Sequence, residues 1–195
     1  MNKKLFASIT LFCSLTLFAS CGMDDNTSDI DEEWKAYNEQ QVADVSKNTD
    51  YQPRKSQSDN GSIYFKYIDF FAETATKSTK ITDDGTPYFT DSVAIRYEGS
   101  FLLKDGTKYT FDTTEGDNNG RILRSRVSGF VDGFATMLQH MHKGDQVEVV
   151  IPYLLGYGTY GNYSGSVQTI PGYTTLRFKI YLLDIIPDNP DEFKK

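Results

Sequence analysis

Residues 130–158 read FVDGFATMLQHMHKGDQVEVVIPYLLGYG, and their pattern predicts a short helix followed by a buried strand. In the first half, apolar residues recur at three- and four-residue spacing, which places them on one face of a helix. Residues 147–151 then alternate as in a strand that buries one face. Because proline has no backbone N–H to give a sheet, we expect Pro152 to end this strand.

The composition indicates a strand-rich chain and excludes several classes of function. The 195 residues include 13 Tyr and 13 Phe, which favour strands, and the net charge of −7 makes nucleic acid a poor partner. The sequence has no glycine-rich phosphate loop, Ser-His-Asp pattern or Cys/His metal spacing. His140 and His142 lie two apart, so they would not share a helix face. We therefore expect no nucleic-acid partner, no metal and no cofactor.

Residues 1–20 predict a lipoprotein signal peptide, with a basic start, an apolar run too short to span a bilayer, and small residues before Cys21. The ending LFASC resembles a bacterial lipobox, which implies cleavage before Cys21 and a lipid on that cysteine. The alternative is an ordinary signal peptide that ends near a cysteine. The lipid interpretation predicts an exported protein anchored to a bacterial membrane, with the outer membrane and its periplasmic or surface face expected.

Residues 21–60 are expected to contain lipidated Cys21, a tether and a helix. From Asp29 to about Ser46 the spacing predicts a helix that Asp29 or Asp31 can cap. Its shared face consists of Trp34, Tyr37, Gln41 and Val45. The pattern leaves open whether this helix packs on the domain or acts as a spacer. Residues 48–61 are polar, contain a proline and predict a linker.

Residues 61–187 predict an α+β domain in which an antiparallel sheet wraps around one short helix. Further strands are expected at residues 63–71, 92–97, 109–112 and 176–186, and the second of these should bury one face. Loops are expected at residues 74–86 and 162–169, and a tail at residues 188–195.

Short motifs of this region occur in a distinctive order. They are Tyr97-Glu98-Gly99, Asp105-Gly106, Phe111-Asp112, Phe130-Val131 before Gly133-Phe134, Met141 to Asp145, Ile151-Pro152, Tyr157-Gly158 with Gly161, Ile170-Pro171, and Thr175 through Leu183. Each motif alone is weak, but together and in this order they resemble the FKBP-type peptidyl-prolyl cis-trans isomerases. The resemblance covers about residues 61–187 and implies an FKBP-like fold, with the N-terminal helix as an extension.

The resemblance also implies an isomerase with no cofactor, and it implies a pocket. Catalytic positions would be Tyr97, Phe111, Asp112, Tyr157 and Phe178, and substrate-binding positions would be Phe130, Val131, Phe134 and Ile170. The Tyr157 hydroxyl and the Val131 N–H would each hold a substrate carbonyl, and Phe134 would form the floor. The implied partners are proline-containing proteins that are unfolded or folding, and macrolide ligands.

The sequence is also compatible with two other functions. The chain could be an FKBP-like binding or chaperone module without significant turnover. This alternative is motivated by the long loop at residues 162–169 and by the lack, in residues 121–127, of a phenylalanine that the family often has. A series of tyrosines from Tyr153 to Tyr173 could instead form a rim that binds glycans or proteins.

Overall fold

The computed structural model describes residues 31–71, 85–116 and 120–188. The predicted signal peptide, Cys21, most of the predicted loop at residues 74–86 and nearly all of the predicted tail lie outside the described residues. Within the described ranges, no helix is long and apolar enough to cross a membrane.

The N-terminal helix predicted from the sequence is confirmed as α1, Glu32–Lys47. Asp31 caps it, because its side chain accepts a hydrogen bond from the Trp34 N–H at 2.9 Å. Acidic residues in the first turn and a lysine in the last turn complement the helix dipole. Its buried face is partly polar and contains Asn38, Gln41 and Val45.

One antiparallel sheet of seven strands forms the centre of the domain. The strands are β1 (Gln52–Lys55), β2 (Ser62–Tyr67), β3 (Ser92–Leu102), β4 (Lys108–Thr113), β5 (Leu123–Arg126), β6 (Gln146–Ile151) and β9 (Leu176–Ile186), with β7 (Asn162–Ser164) and β8 (Val167–Ile170) as a separate hairpin. The order across the sheet is β1-β2-β6-β9-β3-β4, and β5 also pairs with β3. A second helix, α2 (Asp132–Leu138), packs against the sheet. The predicted α+β arrangement, an antiparallel sheet packed against one short helix, is thus confirmed.

The central strand β9 has the predicted alternation, since Leu176, Phe178, Ile180 and Leu182 are all buried. Strand β3 differs, because it buries both faces rather than one. Arg96 is only 5% exposed. Its guanidinium lies 5.5 Å from the Phe71 ring centre, and its Nε donates to Glu115 at 2.8 Å. The carboxylate of Glu115 and the ring of Phe71 compensate the Arg96 charge, which allows the second face of β3 to be buried.

Two loop predictions are wrong. The predicted linker at residues 48–61 contains β1, whose four residues are exposed and pair with β2 through the backbone. The predicted loop at residues 162–169 contains the β7–β8 hairpin. At its turn, Gly165 has a φ of 61°, a conformation that glycine adopts without a steric penalty.

The close approach of α2 to the sheet depends on Gly133. A β-carbon at Gly133 would lie 2.4 Å from Ile151 Cγ2 and 3.1 Å from Ile63 Cγ2. Both isoleucines are fully buried, so they have little room to move. The missing side chain therefore fixes how deeply the next residue, Phe134, enters the core.

We expect Gly133→Ala to lower the free energy of unfolding by about 1–3 kcal/mol, because overpacking here outweighs the helix propensity of alanine. Urea denaturation would measure the change. Gly116→Ala is the control, since a β-carbon there meets no atom of the described residues within 4 Å. An unchanged or raised midpoint in Gly133→Ala would contradict this account of the packing.

Candidate active site

A cavity of about 240 Å³ opens between the start of α2 and the strands β3, β4 and β9. Its lining consists of Tyr97, Phe111, Asp112, Gly129, Phe130, Val131, Phe134, Tyr157 and Phe178. All of the pocket residues predicted from the sequence are therefore brought together, except Ile170.

Ile170 lies outside the cavity lining, contrary to its predicted place in the pocket. It ends β8, is 1% exposed and belongs to the buried core of the domain. Gly129 lines the cavity but was not predicted. It closes a single 3-10 turn, Val127–Gly129, directly before Phe130, and a glycine leaves no side-chain pattern by which its place could be inferred.

The aromatic walls approach one another because Gly99 has no side chain. On the sheet, Gly99 lies opposite both Asp112 and Phe178. A β-carbon at Gly99 would lie 2.6 Å from Phe178 Cε1 and 2.8 Å from Phe111 Cζ. The two phenylalanine rings consequently meet edge to face, with centres 5.6 Å apart and an angle of 89° between their planes.

Phe134 forms the floor of the cavity. Its ring stacks on Phe130 with centres 4.6 Å apart and meets Phe178 edge to face at 4.9 Å. A third ring, that of Tyr97, lies 6.2 Å away, also edge to face. Phe134 is 2% exposed, so these contacts hold the floor rigidly inside the core.

The polar side chains of the cavity are the hydroxyls of Tyr97 and Tyr157 and the carboxylate of Asp112. The Tyr97 hydroxyl donates to Asp112 Oδ2. Burial raises the pKa of Tyr97, and the hydrogen bond and charge of Asp112 raise it further. The pKa of Tyr157 is raised by burial and then by the charge of Asp112. Both hydroxyls therefore stay protonated at neutral pH and can donate.

Val131 brings the start of α2 to the lining of the cavity. It is the N-cap residue of α2, and its carbonyl accepts from the N–H groups of Phe134 and Ala135 at 3.0 and 2.9 Å. The first N–H groups of a helix have no partner inside the helix. Val131 and Tyr157 both lie on the lining of this largely aromatic cavity.

The arrangement suits binding and polarisation rather than nucleophilic or metal chemistry. Among the described residues, those that line the cavity include no cysteine, serine, lysine or histidine. Within the described ranges, no group of His, Cys, Asp and Glu side chains is placed to hold a metal ion. A wider groove of about 460 Å³ adjoins the cavity and shares Phe130 with it.

Residues 84–183 match the family model described as FKBP-type peptidyl-prolyl cis-trans isomerase. FkpA of Escherichia coli K12, described as an enzyme of this type, is 33% identical over 101 residues, which is 52% of this chain and 33% of FkpA. FkpA of Buchnera aphidicola from Acyrthosiphon pisum is 31% identical over 151 residues, covering 71% of this chain and 57% of that protein. The chain thus spans about a third to just over half of these relatives.

Solved structures share the fold. The crystal structure of FkpA from Escherichia coli has a TM-score of 0.57 at 22% identity and covers 81% of this chain and 62% of FkpA. The peptidyl-prolyl cis-trans isomerase from Pseudomonas syringae also has a TM-score of 0.57, at 21% identity, and covers 85% of this chain and all of that chain (100%).

We expect Tyr97 to be far less than half ionised at pH 10, where an ordinary tyrosine is about half ionised. Subtracting the ultraviolet titration of Tyr97→Phe from that of the wild-type protein isolates its tyrosinate absorbance, with N-acetyltyrosinamide as the reference. A group whose pKa is raised on folding stabilises the fold below its unfolded pKa, and this contribution is lost as pH rises through the folded value. Half-ionisation of Tyr97 at pH 10 would contradict the arrangement with Asp112.

Proposed function

Because this chain belongs to the family of FKBP-type peptidyl-prolyl cis-trans isomerases, we propose that it catalyses rotation about X–Pro bonds in proteins. The observation that carries the proposal is the aromatic cavity, in which residues predicted for the pocket, among them Tyr157 and Val131, line the space around Phe134.

The chemistry requires no nucleophile. Partial double-bond character gives peptide rotation a barrier of about 18–20 kcal/mol, and uncatalysed X–Pro isomerisation takes on the order of tens to hundreds of seconds. The planar amide is more polar than the twisted one, so water stabilises the ground state more than the transition state. An apolar cavity removes that advantage, and a donor that fits the twisted carbonyl lowers the barrier further. An acceleration of about 10⁵-fold requires about 7 kcal/mol.

In the proposed complex the proline ring lies on Phe134, between the walls formed by Phe111 and Phe178. The Tyr157 hydroxyl donates to one substrate carbonyl and the Val131 N–H to another. Asp112 acts through Tyr97, because its carboxylate accepts a hydrogen bond from the Tyr97 hydroxyl. Macrolide ligands with a proline-like ring would compete for the same cavity.

We expect Tyr157→Phe to lower kcat/KM about 5- to 10-fold, the loss of one hydrogen bond worth about 1–1.4 kcal/mol. Phe111→Ala should cost more than about 10-fold, because it opens a wall of the cavity. A protease-coupled assay with an X–Pro peptide measures both. Tyr160→Phe is the control, since Tyr160 is 84% exposed and outside the cavity lining. A folded wild-type protein without activity would contradict the proposed catalysis.

We further propose that the substrates are proteins unfolded or folding outside the cytoplasm, and that a lipid on Cys21 anchors the chain to a bacterial membrane. The support comes from the basic start, the short apolar run and the LFASC ending of residues 1–21. Acyl chains can hold a protein at a membrane without a spanning helix.

When cells that express the full chain are grown with radiolabelled palmitate, we expect the label to appear on the protein at Cys21. Cys21→Ala should abolish the label, while Cys13→Ala should keep it because Cys13 lies in the segment that cleavage would remove. Labelled Cys21→Ala protein, or unlabelled wild-type protein, would contradict the lipid anchor.

A further inference from the structure

Helix α1 lies outside the residues that match the family model, yet it is joined to the domain through buried polar groups. Asn38 is fully buried. Its Oδ1 accepts from the Thr175 N–H at 2.7 Å, and its backbone carbonyl accepts from Thr175 Oγ1 at 3.0 Å. Its Nδ2 donates to the Trp34 carbonyl at 2.9 Å, so this side chain has partners on both the helix and the domain.

Trp34 makes a second connection to the same part of the domain. Its indole Nε1 donates to the Gly172 carbonyl at 2.9 Å. Its ring also meets Phe101 edge to face at 6.1 Å, and Phe101 stacks on the cavity residue Phe111 at 6.2 Å. Helix α1 therefore contacts two segments that lead to the cavity.

The segment that α1 holds, residues 172–175, lies directly against the chain that follows Tyr157. A β-carbon at Gly172 would lie 1.9 Å from the Thr159 carbonyl oxygen, which shows how closely the two backbones pass. The Tyr173 N–H donates to the Gly158 carbonyl at 2.9 Å. Tyr173 itself has a φ of 59°, a strained conformation for a side chain of this size.

We propose that α1 is a positioning element of the active site and that Trp34 and Asn38 set the position of the Tyr157 hydroxyl. They do so by fixing residues 172–175, which in turn fix Gly158 and Thr159. A shift of about 1 Å in a hydrogen-bond donor that contacts the substrate lowers the reaction rate substantially. A helix that is remote from the substrate can therefore influence catalysis. This inference rests on the proposed isomerase function, and it extends the catalytic unit to α1.

A double-mutant cycle in the full chain tests the proposal. Trp34→Phe removes the indole donor to Gly172 while keeping an aromatic ring. We expect it to lower kcat/KM about 5-fold in the wild-type background, the effect of about 1 kcal/mol, and less than about 2-fold in the Tyr157→Phe background. Gln40→Ala, on the exposed side of α1, is the matched control and should change neither.

A general structural role would give a different result. The proposal is overturned if Trp34→Phe lowers kcat/KM by the same factor in both backgrounds, or if it leaves kcat/KM unchanged in both. In either case α1 does not act through Tyr157. A wild-type protein without activity would instead overturn the proposed function. If Trp34→Phe does not fold, Thr175→Val takes its place, because it removes the hydroxyl that donates to the Asn38 carbonyl and replaces it with a methyl group.

Discussion

The ring of Phe134 contacts the rings of Phe130, Phe178 and Tyr97. This group of rings belongs to the hydrophobic core and also lines the cavity. Their geometry depends on two positions without side chains. Gly133 lets α2 approach the sheet, and Gly99 lets the wall rings meet. Because these groups belong to one packed cluster, we expect the cavity to be preorganised for a ligand.

The features that could be predicted from the sequence are those decided by local pattern. Strand β9 alternates from Leu176 to Leu182, and the structure places it at Leu176–Ile186 as predicted. The sequence offers Asp29 and Asp31 as caps of the first helix, and α1 begins after the second of these. The pocket residues were found through ordered motifs, whose spacing reflects a shared arrangement in space, and not through the pattern of any one strand.

The features that were missed are decided by contacts between distant parts of the chain. Strand β1 is fully exposed, so only its backbone pairing with β2 reveals it. The burial of Arg96 depends on Phe71 and Glu115, which no alternation within β3 can indicate. Ile170 is apolar, as a residue that lines a pocket can be, but its position at the end of β8 places it in the core. The docking of α1 depends on Gly172 and Thr175, more than a hundred positions away.

The most direct test of the central claim is the rate of X–Pro interconversion at equilibrium. Two-dimensional exchange NMR on a proline peptide, with the wild-type protein present at a small fraction of the peptide concentration, measures this rate for both isomers at once. The aromatic cavity predicts that exchange between cis and trans resonances accelerates in proportion to protein concentration while the isomer populations stay unchanged. Peptide resonances that shift on binding while the exchange rate remains that of the free peptide would contradict catalysis and indicate a binding module.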